Sequence, residues 1–150
     1  MHFQTKTSID TLDYSGDGLN EGSKLVIAAA GEIKRILFEK IDNINLPEGF
    51  LNFQLVSKGN LVVEGEGEIS KLVLSLENQN LDGIGLITLV DDANFVSKDF
   101  SNWLWVAFTR SNPANDIYGL NAKTKNKHFS CSLPIIDARI KQHHAPILER

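Results

Sequence analysis

One short apolar run constrains the fold more than any other part of this sequence. Residues 84–90 read IGLITLV, and the run stops at Asp91 and Asp92. A continuous apolar stretch of this length is too short for a comfortable helix and is typical of a central strand that is covered on both faces. The chain must therefore place other elements above and below a sheet.

Segments with helical and with strand periodicity alternate around that run. Apolar residues recur at three- and four-residue steps across 25–41 and again across 69–76, which predicts two amphipathic helices. Alternation across 51–55 predicts a strand, and a second short strand is expected at 61–64. We therefore expect an α/β fold, a three-layer sandwich whose mainly parallel or mixed central sheet carries helices on both faces.

A strongly apolar helix is predicted to follow the central strand and to begin near Ser97 or Asp99. Its core-facing stripe is expected to consist of Phe100, Trp103, Leu104, Ala107 and Phe108. Trp105 falls outside that stripe. Because aromatic side chains are common interface anchors, we expect Trp105 to face a partner.

The same helix is expected to end before Pro113, which cannot continue it and disfavours helical geometry at Asn112. Arg110, near the helix C-terminus, is placed to interact with the helix dipole and to pair with a following carboxylate such as Asp116. We expect such a pair to be structural rather than catalytic.

Length, charge and cysteine content exclude several classes of protein. The 150 residues are 42% hydrophobic, which is enough for a single domain spanning 1–150. The net charge is −4 and the basic residues are scattered, which argues against nucleic acid as a partner. No apolar run approaches the roughly 20 residues of a membrane span and no signal peptide is recognisable, so we expect a cytoplasmic protein.

Two pairs of residues could bind ligands, and each pair also has a structural explanation. Asp91 and Asp92 end the apolar run, where α/β folds often place ligands, but paired acids at such a position also cap the next helix. His143 and His144 could bind a metal ion or shuttle protons. Adjacent histidines of a strand point to opposite faces, however, so solvated or interfacial side chains are the alternative.

Glycines and a single cysteine give two further candidates. Gly16, Gly18 and Gly22 form a loop that could cradle a phosphate or simply begin a capped helix, and the ending typical of a P-loop is missing. Cys131 is the single cysteine, which excludes an internal disulfide and fits a reducing compartment. It has no sequence neighbour that would make it a nucleophile, so we expect an idle thiol.

Three segments together resemble the C-terminal domain of the UbiD-type decarboxylases, the family of 3-polyprenyl-4-hydroxybenzoate carboxy-lyase. They read LITLVDD at 86–92, LWVAFTRSNPANDIYGLNAKTK at 104–125 and LPIIDARIKQHHAPILE at 133–149. The residues that match the family pattern are Val90, Asp91, Asp92, Leu104, Trp105, Thr109, Arg110, Pro113, Asp116, Gly119, Leu120, Ala122, Asp137, Ala138 and Lys141. Departures from the pattern occur at Ala93, Val106, Asn121 and Lys123.

The resemblance implies a role within a larger enzyme. Full-length members decarboxylate aromatic or unsaturated carboxylic acids, with quinone biosynthesis as one setting, and use prenylated FMN held by a divalent metal ion. Their flavin-binding catalytic domain is absent from this sequence. The chain is therefore expected to contribute assembly and one wall of the substrate pocket, to bind no cofactor itself, to contain no catalytic residue and to be inactive alone.

The partners implied are a second copy of the chain or a flavin-binding domain. Two alternatives remain for the function. The first is a free-standing interaction module that dimerises without a cofactor. The second is a small α/β enzyme that binds a nucleotide or phosphate with the glycines near residue 18 and the acids near residue 91.

Overall fold

The computed structural model describes residues 2–7, 22–26, 30–126 and 128–144. Its strands are β1 (His2–Thr7), β2 (Gly22–Val26), β3 (Phe50–Ser57), β4 (Asn60–Gly65), β5 (Leu86–Val90), β6 (Ile117–Leu120), β7 (Lys123–Lys125), β8 (His128–Ser130) and β9 (Leu133–Asp137). Its helices are α1 (Ile69–Leu76), α2 (Ala93–Ser97) and α3 (Phe100–Thr109). Within these ranges, no helix has the length and apolar character needed to cross a membrane.

A mixed five-stranded sheet forms the centre of the fold, with the strand order β3-β4-β5-β9-β6. The three inner strands β4, β5 and β9 run parallel, and the edge strands β3 and β6 are antiparallel to their neighbours. The apolar run at 84–90 supplies the middle strand, as predicted. Strands β1 and β2 form a separate antiparallel pair, as do β7 and β8.

Side chains of the inner strands alternate between two apolar clusters. Leu61 and Val63 of β4 pack in the cluster that contains Leu72 of α1. Between them in the chain, Val62 packs in the cluster that contains Trp103 of α3. Because successive strand residues point to opposite faces, α1 covers one face of the sheet, and α2 and α3 cover the other. The predicted three-layer α/β sandwich is confirmed.

The helix predicted at 25–41 is wrong. The strand β2 occupies 22–26, and residues 30–41 contain no helix. The main chain of Phe38 instead bonds to loops of the sheet: its amide donates to the carbonyl of Gly83, and its carbonyl accepts from the amide of Gly59, both at 2.8 Å. Ile33 and Ile36, which suggested the helical period, are 89% and 86% exposed. Their spacing therefore does not reflect burial against the described core.

Helix α3 begins as predicted but buries a different arc. The carboxylate of Asp99 accepts a hydrogen bond from the amide of Ser101 at 2.6 Å and caps the helix. The buried residues of α3 are Trp103, Val106 and Ala107. The prediction that Phe100, Leu104 and Phe108 also face the core is wrong, since all three are exposed. The ten-residue helix is apolar nearly all round, so its pattern does not identify the arc that meets the sheet.

The two tryptophans of α3 have contrasting environments. Trp103 is buried, and its indole Nε1 donates to the hydroxyl of Thr88 at 3.0 Å. Trp105 is 67% exposed, which confirms that it lies away from the core.

Replacement of each tryptophan by alanine should reveal this contrast. Trp103→Ala leaves a cavity between α3 and the sheet and an unpaired Thr88 hydroxyl, so it should lower the free energy of unfolding by about 3–5 kcal/mol. Trp105→Ala is the matched control and should change it little. Urea denaturation of both variants measures the difference, and equal losses would contradict the assigned orientation of α3.

Candidate functional site

Charged side chains converge at the edge of the sheet where the parallel strands end. Asp91 follows β5, and Asp137 is the last residue of β9. Parallel strands bring their carboxyl ends to one edge, which is where α/β folds place ligands. The residues that meet there are Asp91, Arg110, Asp116, Asp137, Arg139 and Lys141, and we call them the edge cluster.

Arg139 joins the end of β9 to the turn after β4. Its Nε and Nη2 atoms donate to the two carboxylate oxygens of Asp137 at 2.9 and 2.8 Å. Its Nη1 atom donates to the carbonyl oxygens of Gly65 and Gly67 at 3.1 and 2.8 Å. A bidentate pair of this kind fixes both side chains, and here the guanidinium also satisfies two main-chain acceptors.

The environment of Asp137 favours its ionised form. The side chain is only 10% exposed, and burial by itself would raise the pKa of the carboxyl group. The hydrogen bonds from Arg139 and the positive charges of Lys141 and Arg139 outweigh burial, so the pKa of Asp137 lies below its usual value. Asp137 is therefore a stable anion, which suits an ion pair better than proton transfer.

Lys141 holds three chain segments together through its ammonium group. The Nζ atom donates to the carbonyl oxygens of Arg110 at 2.8 Å, Asp137 at 2.9 Å and Arg139 at 3.2 Å. It also lies 3.3 Å from the carboxylate of Asp116. The same carboxylate accepts from the amide of Asn112 at 2.6 Å. Lys141 thus connects the C-terminal end of α3, the loop before β6 and the end of β9.

The predicted pair between Arg110 and Asp116 is wrong. Arg110 donates through Nη1 to Asp91 at 3.0 Å, while the partner of Asp116 is Lys141. The reason is that Arg110 is the C-cap residue of α3, and its carbonyl oxygen accepts from Lys141 while its side chain reaches the end of β5. Asp91 also accepts from the amide of Ile140 at 3.0 Å.

Asp92 caps the helix that follows β5. Its carboxylate accepts from the amide of Phe95 at 2.9 Å, which is the structural explanation considered for this residue. Glu64, at the end of β4, accepts from the amide of Ala93 at 2.9 Å and satisfies a second donor of the same helix end. The two adjacent acids therefore have different contacts: Asp91 bonds Arg110, and Asp92 bonds α2.

The two histidines lie in a turn that follows β9, not in a strand, so the argument from opposite strand faces does not apply to them. Nδ1 of His144 accepts from the amide of Lys141 at 3.0 Å, and the two imidazole rings meet edge to face at 4.5 Å. Burial lowers the pKa of His144, and electrostatic interactions with His143, Lys141 and Arg110 lower it further against the opposing effect of Asp116. Across the described ranges, no group of three or more His, Cys, Asp or Glu side chains could hold a metal ion.

The remaining candidates take no part in this cluster. Cys131 is half-buried, and burial raises the pKa of its thiol, which disfavours the nucleophilic thiolate. Gly16 and Gly18 lie outside the described residues, and Gly22 begins β2, so a phosphate loop there remains a prediction. Sequence reasoning did not select Arg139 or Glu64. For Arg139, the available signal was its position two residues after Asp137.

The edge cluster is arranged to hold chain segments together. Its three acids and three bases balance in formal charge, and each of the six has a charged or main-chain partner within the cluster. A shallow depression of about 120 Å³ lies at the opposite edge of the sheet, where Leu120 and Leu133 contribute to its wall. The arrangement therefore supports a structural role, in which the cluster holds together the chain segments at the carboxyl ends of the parallel strands.

Comparison with known proteins gives a small set of relatives. The chain is 33% identical over 87% of its length to an uncharacterized protein of Chlamydia muridarum. It is 29% identical over 97% of its length to a protein of Chlamydia pneumoniae that is named as a subunit of 4-hydroxybenzoate decarboxylase. The aligned part covers 22% and 25% of those two proteins, so the chain spans about a quarter of the length of the relatives it matches. No family model and no solved structure matches the chain.

Lys141→Met should destabilise the fold, because it removes the ammonium donor of three carbonyl oxygens and the ion-pair partner of the buried carboxylate of Asp116. A loss of about 2–3 kcal/mol in the free energy of unfolding is expected for hydrogen bonds to a charged group. Lys123→Met, at an exposed position of β7, is the matched control and should change stability little. Equal stability of the two variants in chemical denaturation would contradict the role assigned to Lys141.

The lowered pKa of Asp137 predicts an acid-dependent part of the stability. An unfolded aspartate titrates near about pH 3.9. Because the folded pKa is lower, the stabilisation is present above about pH 4 and is lost as the pH falls through the folded value. The stability difference between the wild-type chain and Asp137→Asn should therefore be largest near neutral pH and shrink in acid. Urea denaturation across this pH range tests it, and a constant difference would contradict the prediction.

Proposed function

We propose that this chain is the C-terminal domain of a UbiD-type decarboxylase and that it contributes assembly and one wall of the substrate pocket. The observation that carries the proposal is the edge cluster. Five of its six members, Asp91, Arg110, Asp116, Asp137 and Lys141, carry the sequence resemblance to that family, although they come from three separate segments. Because these residues match the family pattern and also contact one another, we infer that they have a common structural role.

The comparisons support the same role from a different direction. Similarity to the Chlamydia pneumoniae protein, which is named for 4-hydroxybenzoate decarboxylase, extends over nearly the whole chain but over a quarter of that protein. This is the relation expected if the chain corresponds to one domain of a longer enzyme. The 4-hydroxybenzoate of that name is an aromatic acid, which agrees with the substrate class proposed for the complete enzyme.

The edge cluster does not fit the metal ion that would hold a prenylated FMN. The acids of the edge cluster are engaged by Arg110, Arg139 and Lys141, so their oxygens are committed to ion pairs rather than to a cation from outside. We therefore assign cofactor and metal binding to the flavin-binding domain of the complete enzyme. On this proposal the isolated chain lacks decarboxylase activity because it lacks the groups that would carry the chemistry.

A free-standing interaction module is the second candidate, and the exposed apolar face of α3 favours it. Phe108 and Trp105 on that face are 56% and 67% exposed, which is costly unless a partner covers them. A module and an enzyme domain could both use such a face. The two hypotheses differ in one outcome: an enzyme domain supports decarboxylation when it is joined to a flavin-binding domain, and an interaction module does not.

A chimera tests the proposal directly. The aligned quarter of the Chlamydia pneumoniae protein would be replaced by this chain, and release of carbon dioxide from 4-hydroxybenzoate would be measured with prenylated FMN supplied. We expect the chimera to retain activity, and the same protein truncated before this region to lose it. The isolated chain should bind no FMN in calorimetry and release no carbon dioxide. An active truncation, an inactive but folded chimera or stoichiometric FMN binding by the isolated chain would contradict the proposal.

A further inference from the structure

The turn that follows β9 is closed by a histidine through both its side chain and its main chain. The Nδ1 atom of His144 accepts a hydrogen bond from the amide of Lys141 at 3.0 Å. The amide of His144 donates in return to the carbonyl of the same lysine at 2.9 Å. The ammonium group of that lysine bonds the carbonyl oxygens within the edge cluster. The position of Lys141 therefore depends on an imidazole nitrogen that is able to accept a hydrogen bond.

The hydrogen bond to Nδ1 is possible in only one protonation state of the ring. A neutral imidazole has one donor and one acceptor nitrogen, whereas both nitrogens of an imidazolium are donors. Because Nδ1 accepts from Lys141, the neutral ring carries its proton on Nε2. A proton added to Nδ1 would point at the amide N–H of Lys141, and two donors form no hydrogen bond. Protonation of His144 and closure of the turn therefore exclude each other.

The surroundings of His144 oppose a positive charge on its ring. The charged and titratable groups that act on it are His143 and Lys141 in its own turn, Arg110 at the end of α3 and Asp116 in the loop before β6. Nε2 is buried and has no hydrogen-bond partner within the part of the chain that the structure describes. Burial, together with His143, Lys141 and Arg110, outweighs the acid, so the pKa of His144 lies below its ordinary value of 6.5.

We propose that His144 is an acid-sensitive switch that opens the turn after β9 and thereby loosens the contacts of Lys141 with the edge cluster. While the ring is neutral, the turn is closed and the ammonium group bonds the carbonyl oxygens of Arg110, Asp137 and Arg139. Protonation breaks the bond to the amide of Lys141 and adds a cation beside that ammonium group. The inference goes beyond the proposed function and does not depend on it.

The direction of the pH dependence follows from the two states of the histidine. The ring of His144 titrates near about pH 6.5 in the unfolded chain and at a lower pH in the folded chain. The stability that the neutral ring contributes is therefore fully present above about pH 6.5 and is lost as the pH falls through the folded pKa. The carboxyl group of Asp137 loses its contribution only below about pH 4, so the two effects occupy different pH ranges.

NMR titration of the wild-type chain follows the switch without any substitution. Between about pH 8 and about pH 5, the ring of His144 should titrate with a midpoint below that of an unfolded histidine. Above the midpoint, the ring should carry its proton on Nε2. The amide of Lys141 should change its chemical shift with the same midpoint and lose protection from exchange with water, because its acceptor is lost. Titration of His128, in β8, should leave that amide unchanged.

His144→Asn separates the hydrogen bond from the charge. The side-chain oxygen of asparagine can accept from the amide of Lys141, as Nδ1 does, but it does not titrate. Urea denaturation at about pH 7.5 and about pH 5 should show an unfolding equilibrium constant that rises more in the wild-type chain than in this variant. A folded pKa one unit below the unfolded value corresponds to about a tenfold rise. His128→Asn is the matched control and should keep the pH dependence of the wild-type chain.

Two results would overturn the inference. The first is a Lys141 amide that stays unchanged while the ring of His144 titrates, or a ring whose midpoint is 6.5 or higher. The second is a His144→Asn variant that is folded by circular dichroism and still loses as much stability in acid as the wild-type chain. If that variant does not fold, the titration of the wild-type chain decides between the two accounts.

Discussion

An ammonium group held among main-chain oxygens is the interaction on which the C-terminal half of this structure depends. Removing a lysine from water is costly unless its donors are satisfied, and Lys141 meets three carbonyl oxygens and the carboxylate of Asp116. Each oxygen comes from a different position along the chain. Their common partner therefore fixes the end of α3, the loop before β6 and the end of β9 relative to one another.

The ion pair of Asp137 and Arg139 extends this fixation across the sheet. The guanidinium reaches the carbonyl oxygens of Gly65, the last residue of β4, and of Gly67 in the turn that follows. On the other side, Asp91 accepts both from Arg110 and from the amide of Ile140. The carboxyl ends of the three parallel strands are thus closed by charge pairs. Many α/β proteins leave this edge open for a ligand, whereas here its described groups bond to each other.

The fold was largely predictable because a strand that is buried on both faces has a continuous apolar sequence, and a helix that covers a sheet has an apolar residue every three or four positions. The run at 84–90 indicated a central strand, and the period at 69–76 indicated α1. The segment at 25–41 has a similar period but forms no helix in its described part, because the main chain of Phe38 bonds to Gly59 and Gly83. Such contacts with distant loops are invisible in a local pattern. The buried arc of α3 was not predictable either, since apolar residues surround nearly the whole helix.

Five of the six members of the candidate site were predictable from the sequence, but Arg139 and the pairings were not. The sequence resemblance selected Asp91, Arg110, Asp116, Asp137 and Lys141, and the fold brings all five together. Chain proximity suggested that Arg110 pairs with Asp116. In the structure, the carbonyl of Arg110 accepts from Lys141 and its side chain reaches Asp91 at the end of β5. Partner choice among several charges depends on the direction of each side chain, which only the three-dimensional arrangement determines.

Hydrogen exchange of the Lys141 ammonium group, observed by nitrogen-15 NMR, is the most direct measurement of the central claim. An ammonium group bonded to three carbonyl oxygens and a carboxylate should exchange its protons slowly with water, and its signal should stand apart from those of exposed lysines such as Lys123 and Lys125. If every lysine signal of the folded chain exchanges at the rate of an exposed side chain, Lys141 does not join these segments and the account of the edge cluster is wrong.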